Sequence, residues 1–257
     1  MNNSGYILGI HYAHDATVAL MKNGEVIEAM SEERLSRAKK HSGFPHEALT
    51  YIKNKYGNIP FDKIVLVGEN AAHDGVVFTT KEQNLEGRKS VKQGDYFLRA
   101  LGVRFPPFGL ILFLRDLYLI KRDRFGVKKK VDKYIEEIFG KDQVSKIERI
   151  EHHHAHAWCA PLFVDDLTKK RIVLTLDGVG DGISGSVNVF DGKKIERMSS
   201  VSVDASIGML YCGIVDILGM SRNEHEFKVM GLAPYAKATS GEKVYEKLKK
   251  LVWFDEE

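Results

Sequence analysis

One pattern in this chain occurs twice, and the repetition limits the fold more than any other feature. Residues 7–31, ILGIHYAHDATVALMKNGEVIEAMS, read as apolar strand, polar loop, apolar strand, an Asn23-Gly24 turn and a third strand. An Asn-Gly step between apolar runs is a strong hairpin signal, since both residues accept the positive φ a two-residue turn needs. Residues 172–199, IVLTLDGVGDGISGSVNVFDGKKIERMS, repeat the plan: strand, a loop holding Asp177, Gly178, Gly180, Asp181 and Gly182, strand, an Asp191-Gly192 turn, strand. A supersecondary unit used twice predicts two related halves.

Between the copies the sequence predicts a helix at 45–56, a buried strand at 64–67, a long polar and basic insertion at about 70–130, a helix at 131–139 and a strand at 147–150. Strands alternating with helices place the chain in the α/β class. The expected division is 1–168, holding the insertion, and 169–257, with the boundary near the charged stretch 165–171. From Ile172 onward the second copy has about half the length of the first, so its half is expected to be incomplete and the chain a truncation.

Lys plus Arg (38) and Asp plus Glu (35) nearly balance, so no global field marks a nucleic-acid or membrane binder. The longest apolar run, FPPFGLILFLRDLYLI (105–120), is interrupted by Arg115 and Asp116 and is too short to span a bilayer; it reads as a buried or interfacial helix. Cys159 and Cys212 lie apart in apolar surroundings and read as buried free thiols. The N-terminus has no secretory pattern, and a cytoplasmic location is expected.

Each copy offers a polar loop after its first strand. Glycine lets backbone amides approach an anion, and a nearby aspartate can hold a bridging cation, so Asp177, Gly178 and Gly180 are candidates for binding phosphate groups. Ordinary hairpin turns carry the same residues. His14 and Asp15 lie on the first loop, and EERLSRAKKH (32–41) follows. Its cations either gather round an anion or form a solvated helix face with Glu32 and Glu33 in the first turn.

The stretch EHHHAHAW (151–158) puts four of the ten histidines into five positions. On a helix His152 and His156 share one face with Cβ atoms about 5–6 Å apart, close enough to chelate one metal. His153 and His154 then point elsewhere, to substrate or solvent. Two imidazoles need a further ligand, commonly a carboxylate, and suit iron or zinc among the divalent metals. GMLYCGIVDILGM (208–220) reads as a core helix. Glu224-His225-Glu226 reads as a polar loop, and Lys228 before Gly231 can reach a phosphate.

Taken together, GIHYAHDATVAL, EERLSRAKKHSGFP, HHHAHA, LDGVGDGISGS, SIGMLYCGIVDILGM and FKVMGLAPYA resemble the O-carbamoyltransferases of the nodulation and antibiotic-tailoring type. The resemblance covers most of residues 7–236. It implies a duplicated domain of the actin, sugar-kinase and Hsp70 fold, related to the enzyme that attaches threonylcarbamoyl to tRNA adenosine. It also implies a reaction in which carbamoyl phosphate and ATP give carbamoyl adenylate in a second domain, and this domain passes the carbamoyl group to the hydroxyl of a small-molecule acceptor. By the same resemblance His152 and His156 are metal ligands and His14 and Lys39 are reactive-site residues; Asp15, Asp177, Gly178, Gly180, Gly208 and Lys228 are expected to bind substrate or nucleotide. The third metal ligand, an aspartate, and the adenylate-forming part are expected beyond Glu257, fused or in a separately encoded C-terminal half. The rival readings are a phosphotransferase of the same fold, a tRNA threonylcarbamoyl transferase using the basic stretch Lys121, Arg122, Arg124 and Lys128–Lys130, and a non-catalytic subunit.

Overall fold

A computed structural model describes residues 5–12, 14–68, 127–164, 166–221 and 224–250. Most of the basic insertion, including the apolar run 105–120 and Lys121, Arg122 and Arg124, lies outside the described residues. The architecture is mixed α/β, in two compact units, 1–205 and 206–257. No helix among the described residues is long and apolar enough to cross a membrane.

The first copy of the repeat forms β1 (Tyr6–His11), β2 (Thr17–Lys22) and β3 (Glu25–Ser31), an antiparallel meander. Asn23 and Gly24 turn it with φ of 51° and 89°, the primed geometry that matches strand twist. After α1 (Glu32–Ser36) and α2 (His46–Tyr56), β4 (Lys63–Val67) pairs parallel with β1. Helical residues 127–139 (α3) and α4 (Lys141–Val144) lead to β5 (Ile147–Ile150), parallel to β4. The sheet order is β3-β2-β1-β4-β5.

Alternation along the strands places two apolar rows across this sheet, Leu20-Leu8-Ile64 and Val18-Ile10-Leu66. Ala48, Leu49 and Ile52 of α2 and Val131 and Ile135 of α3, spaced three and four apart, close over them. Burying each large aliphatic chain contributes about 1.5–3 kcal/mol. Glu32, which the solvated-face alternative would leave exposed, is buried. Its carboxylate accepts the N–H groups of Glu47 and Ala48 at 3.0 and 2.8 Å and so caps α2. The alternative that makes 32–41 one helix face is not realised: α1 stops after five residues, where Arg37 is left-handed (φ 60°), and residues 37–41 form a loop.

The second copy forms β6 (Arg171–Gly180), β7 (Ile183–Phe190) and β8 (Ile195–Ser202), again an antiparallel meander. Two sequence expectations need correction here. The glycine-rich loop is largely strand: β6 runs to Gly180 with a register shift after Leu176, and only Asp181 and Gly182 (φ 52° and 89°) make the turn. The turn after β7 takes four residues, 191–194, with the Asp191 carboxylate accepting the N–H groups of Lys193 and Lys194 at 2.9 Å each.

In front of this sheet lies α5 (His152–Cys159), followed by a 3-10 turn (Ala160–Phe163). Ala157 and Trp158 pack on Val173, Phe190 and Ile195. Cys159, expected to be buried, is exposed, because it lies two helix positions from Ala157, which faces the sheet, and so on the opposite side of the helix.

The second unit holds α6 (Ile207–Ile217), capped by Ser206, then α7 (Glu226–Leu232) and α8 (Ala238–Leu248). Cys212 and Val215 are its buried apolar residues on α6, and Cys212 Sγ meets the Glu226 carboxylate at 3.4 Å.

Candidate metal centre

Parallel strands β1, β4 and β5 end at one edge of the first sheet, the side where α/β sheets bind ligands. The ends are laced together: Tyr12 donates its hydroxyl to the Gly68 carbonyl at 2.9 Å, and Gly68 N–H donates to Ile150 O at 2.9 Å. One residue beyond β5 the histidine helix begins. Its N-terminal amides are satisfied by two carboxylates. Glu151 accepts His153 N–H and His154 N–H at 2.9 and 2.8 Å and is ion-paired with Arg197; Asp181 accepts His152 N–H at 2.7 Å.

The four histidines separate into different tasks. His153, completely buried, is structural: its ring bonds Thr175 Oγ1 at 2.8 Å and the Ile183 carbonyl at 3.1 Å. Thr175 Oγ1 continues to Ser186 Oγ at 2.7 Å, and Asn188 donates to that oxygen at 2.9 Å. Burial, then the charge of His152, pushes the His153 pKa below its ordinary value, so the ring is held neutral. His154 accepts the indole N–H of Trp158 at 3.0 Å, one turn along the helix.

His152 and His156 turn toward each other, Nε2 to Nε2 at 3.0 Å, and toward Asp177 on β6. Asp177 Oδ2 lies 2.9 Å from His152 Nε2 and 3.4 Å from His156 Nε2. Strand alternation puts it there: Val173, Thr175 and Asp177 share a face and meet the small apolar cluster, His153, and the His152–His156 pair in turn. His152 is nearly buried, whereas His156 and Asp177 are 54% and 39% exposed, so the group is open on one side. Burial opposes charge on Asp177, but hydrogen bonds from His152, His156 and the Gly178 amide outweigh it and hold the carboxyl well below the usual carboxylate range.

The trio fits a metal. An ion about 2.0–2.1 Å from imidazole and carboxylate donors sets neighbouring donors about 2.9–3.4 Å apart, from octahedral to tetrahedral geometry. The three observed separations fall in that interval, with an ionised carboxylate among them. A third ligand was expected beyond Glu257; Asp177, assigned from sequence to nucleotide binding, offers a carboxylate in such a position within this chain. Strand alternation in IVLTLD puts Asp177 on the face of Val173 and Thr175 but does not say what that face meets.

The remaining sequence-derived residues divide by place. Gly178 donates its amide to Asp177 Oδ1 at 2.6 Å, and Gly180 sits under His152, where a Cβ would lie 2.1 Å from the ring. His14 Nδ1 meets Asp15 Oδ2 at 3.0 Å, with both side chains exposed. Lys39 is exposed on the loop 37–41, which Ala16 N–H ties to the His14 loop through the His41 carbonyl at 3.1 Å. Glu33 accepts the Lys40 N–H at 2.8 Å and Ser36 Oγ contacts His41 Nδ1 at 3.1 Å. Asp15, Arg37 and Lys40 all have positive φ, a cluster of strained residues in two adjoining loops. Gly208 and the exposed Lys228 belong to the second unit, on α6 and α7.

A profile of the family described as "Carbamoyltransferase N-terminus" matches residues 6–253. The chain is 28% identical to an uncharacterized protein of Synechocystis over 234 residues, 90% of this chain and 34% of that protein. It is 28% identical to the nodulation protein NolNO of Sinorhizobium fredii over 241 residues, 94% of this chain and 30% of that one. An uncharacterized protein of Methanocaldococcus jannaschii is 28% identical over 229 residues, 89% and 33% of the two chains. The chain thus spans about a third of the length of these curated relatives.

Proposed function

The chain belongs to the carbamoyltransferase N-terminus family, and from that premise we propose that it holds the site at which a carbamoyl group passes from carbamoyl adenylate to an acceptor hydroxyl. The observation that carries this reading is the open trio of His152, His156 and Asp177 at the strand ends. In the proposed fold the two meanders are the matching halves of an actin-like domain, and the adenylate is made elsewhere from carbamoyl phosphate and ATP. His152, His156 and Asp177 would hold a divalent metal, iron or zinc, which when bound would supply Lewis acidity for the mixed anhydride and a template for the alcohol.

The chain's own residues handle the proton and the charge. Asp15 accepts the Nδ1–H of His14, which leaves the Nε2 lone pair to take the acceptor's proton. The acceptor oxygen bonds to the carbamoyl carbon, the bond from that carbon to the phosphate oxygen breaks, and AMP leaves with the electron pair. Lys39 stabilises negative charge developing on the phosphate.

The test supplies carbamoyl adenylate directly, labelled in the carbamoyl carbon, to metal-loaded protein with a panel of hydroxylated acceptors. Label appearing in an acceptor with AMP released in equal amount supports the reading. A phosphorylated acceptor without carbamate, formed with ATP, would replace it with a phosphotransferase. In enzyme that carries the adenylate-forming part as well, His14→Ala is expected to slow transfer by about 10²–10⁴-fold while adenylate synthesis from carbamoyl phosphate and ATP continues; equal loss of both steps would remove His14 from the base role.

A further inference from the structure

We propose that His11 is a positioning residue of this site, one that fixes the main chain of His14 and so the direction of its imidazole. The inference rests on the base role proposed for His14. His11 closes the central strand β1, paired with Thr17 of β2 on one side and Val67 of β4 on the other. Its Nε2–H donates to the His14 carbonyl at 2.9 Å, across three residues, and the two rings meet edge to face at 5.8 Å and 78°.

The rest of the loop explains why that bond matters. Tyr12 anchors its start on Gly68, and Ala16 anchors its end through the His41 carbonyl and through Glu32 N–H, which donates to Ala16 O at 2.8 Å. Thr17 Oγ1 donates to the Asp15 carbonyl at 2.8 Å. At the crest Asp15 is left-handed, with φ of 55°, a conformation uncommon outside glycine but open to aspartate. The bond from His11 supports the residue just before that crest.

A histidine suits the task because it gives one N–H without adding charge. Burial chiefly, and then the neighbouring His14 and, further down, His152, disfavour protonation of His11, so the ring stays neutral next to the residue that takes the acceptor's proton. His11 thus lies within electrostatic reach of both the loop base and a ligand of the metal trio.

The experiment compares His11→Leu, His11→Gln, His14→Ala and the double variant His11→Leu/His14→Ala, with labelled carbamoyl adenylate and metal-loaded protein. Misplacing a reacting group by a fraction of an ångström costs on the order of 10–100-fold in rate. His11→Leu is expected to show that loss in kcat, with KM for the adenylate and metal content unchanged. His11→Gln, which keeps an N–H near the Nε2 position, is expected to recover most of it. The double variant is expected to be no slower than His14→Ala alone, since His11 acts only through His14. Equal losses in the Leu and Gln variants, additive losses in the double variant, or full activity in His11→Leu would each overturn the proposal while leaving His14 as base. Full activity in His14→Ala would remove both.

Discussion

At the scale of single residues, the contact most open to test is between Gly180 and His152. A methyl group at 180 would sit 2.1 Å from His152 Cδ2 and 2.4 Å from Cγ, far inside contact distance, and the ring packs where only hydrogen fits. Gly180→Ala is therefore expected to displace the His152 ring and weaken metal binding by about 10–100-fold, as losses in the support of metal ligands do. Competition with a chelator of known affinity measures it, and an unchanged constant would place the metal elsewhere. His156→Ala and Asp177→Asn are expected to lose retained metal outright in elemental analysis after gel filtration. The helical half of this centre was legible in the sequence, because positions four apart on a helix must share a face. Asp177 was legible as a polar residue of the glycine-rich stretch but not as a neighbour of the imidazoles. Its side chain reaches the imidazoles through strand pairing and packing across 25 residues of chain, information that local spacing does not contain.

At the scale of elements, strand β6 has two faces with different fates. Toward α5 it offers Val173, Thr175 and Asp177; on the other face Ile172, Leu174 and Leu176 are 73%, 71% and 76% exposed. Thr175→Val removes the hydroxyl that faces buried His153 Nδ1 and breaks the chain to Ser186. A buried polar atom left without its partner costs about 1–3 kcal/mol. Thr175→Val is expected to lose that much in chemical denaturation, whereas Leu174→Thr, one residue away on the exposed face, is expected to stay within about 0.5 kcal/mol. Equal effects would mean that helix α5 is not held by this polar chain. The elements themselves were readable: the hydrophobic periods gave strands at 64–67 and 147–150 and helices at 45–56 and 131–139 close to where they lie. Misreadings fell where a side chain competes for the backbone. The Asp191 carboxylate turned an expected two-residue turn into four, and Arg37 in the left-handed region closed the alternative of one helix over 32–41.

At the scale of the whole molecule, three histidines far apart in sequence share one electrostatic condition. His11 at the end of β1, His46 at the start of α2 and His153 in the helix before β6 all have pKa values below the ordinary one, each chiefly through burial. His46 illustrates the environment, with its ring against Tyr134 at 4.2 Å and Phe44 at 5.0 Å. Below the ordinary histidine value, about 6.5, the unfolded chain binds protons at these sites that the folded chain refuses. Stability must then fall as pH drops from 7 toward 5, least at His46, which is the most exposed of the three. The carboxylates act in another window. Asp177 and Glu151 are held below the usual range, so their contribution is complete above about pH 5 and is lost progressively in stronger acid. Metal-free protein, prepared with a chelator so that ligand protonation does not interfere, is expected to melt at progressively lower temperature between pH 7 and pH 5. His46→Phe keeps an aromatic ring beside Phe44 and Tyr134 but cannot titrate, and its decline should be shallower. A melting temperature independent of pH over that range, or a variant slope equal to the parent's, would show that these rings gain protons as readily in the folded state as in the unfolded one.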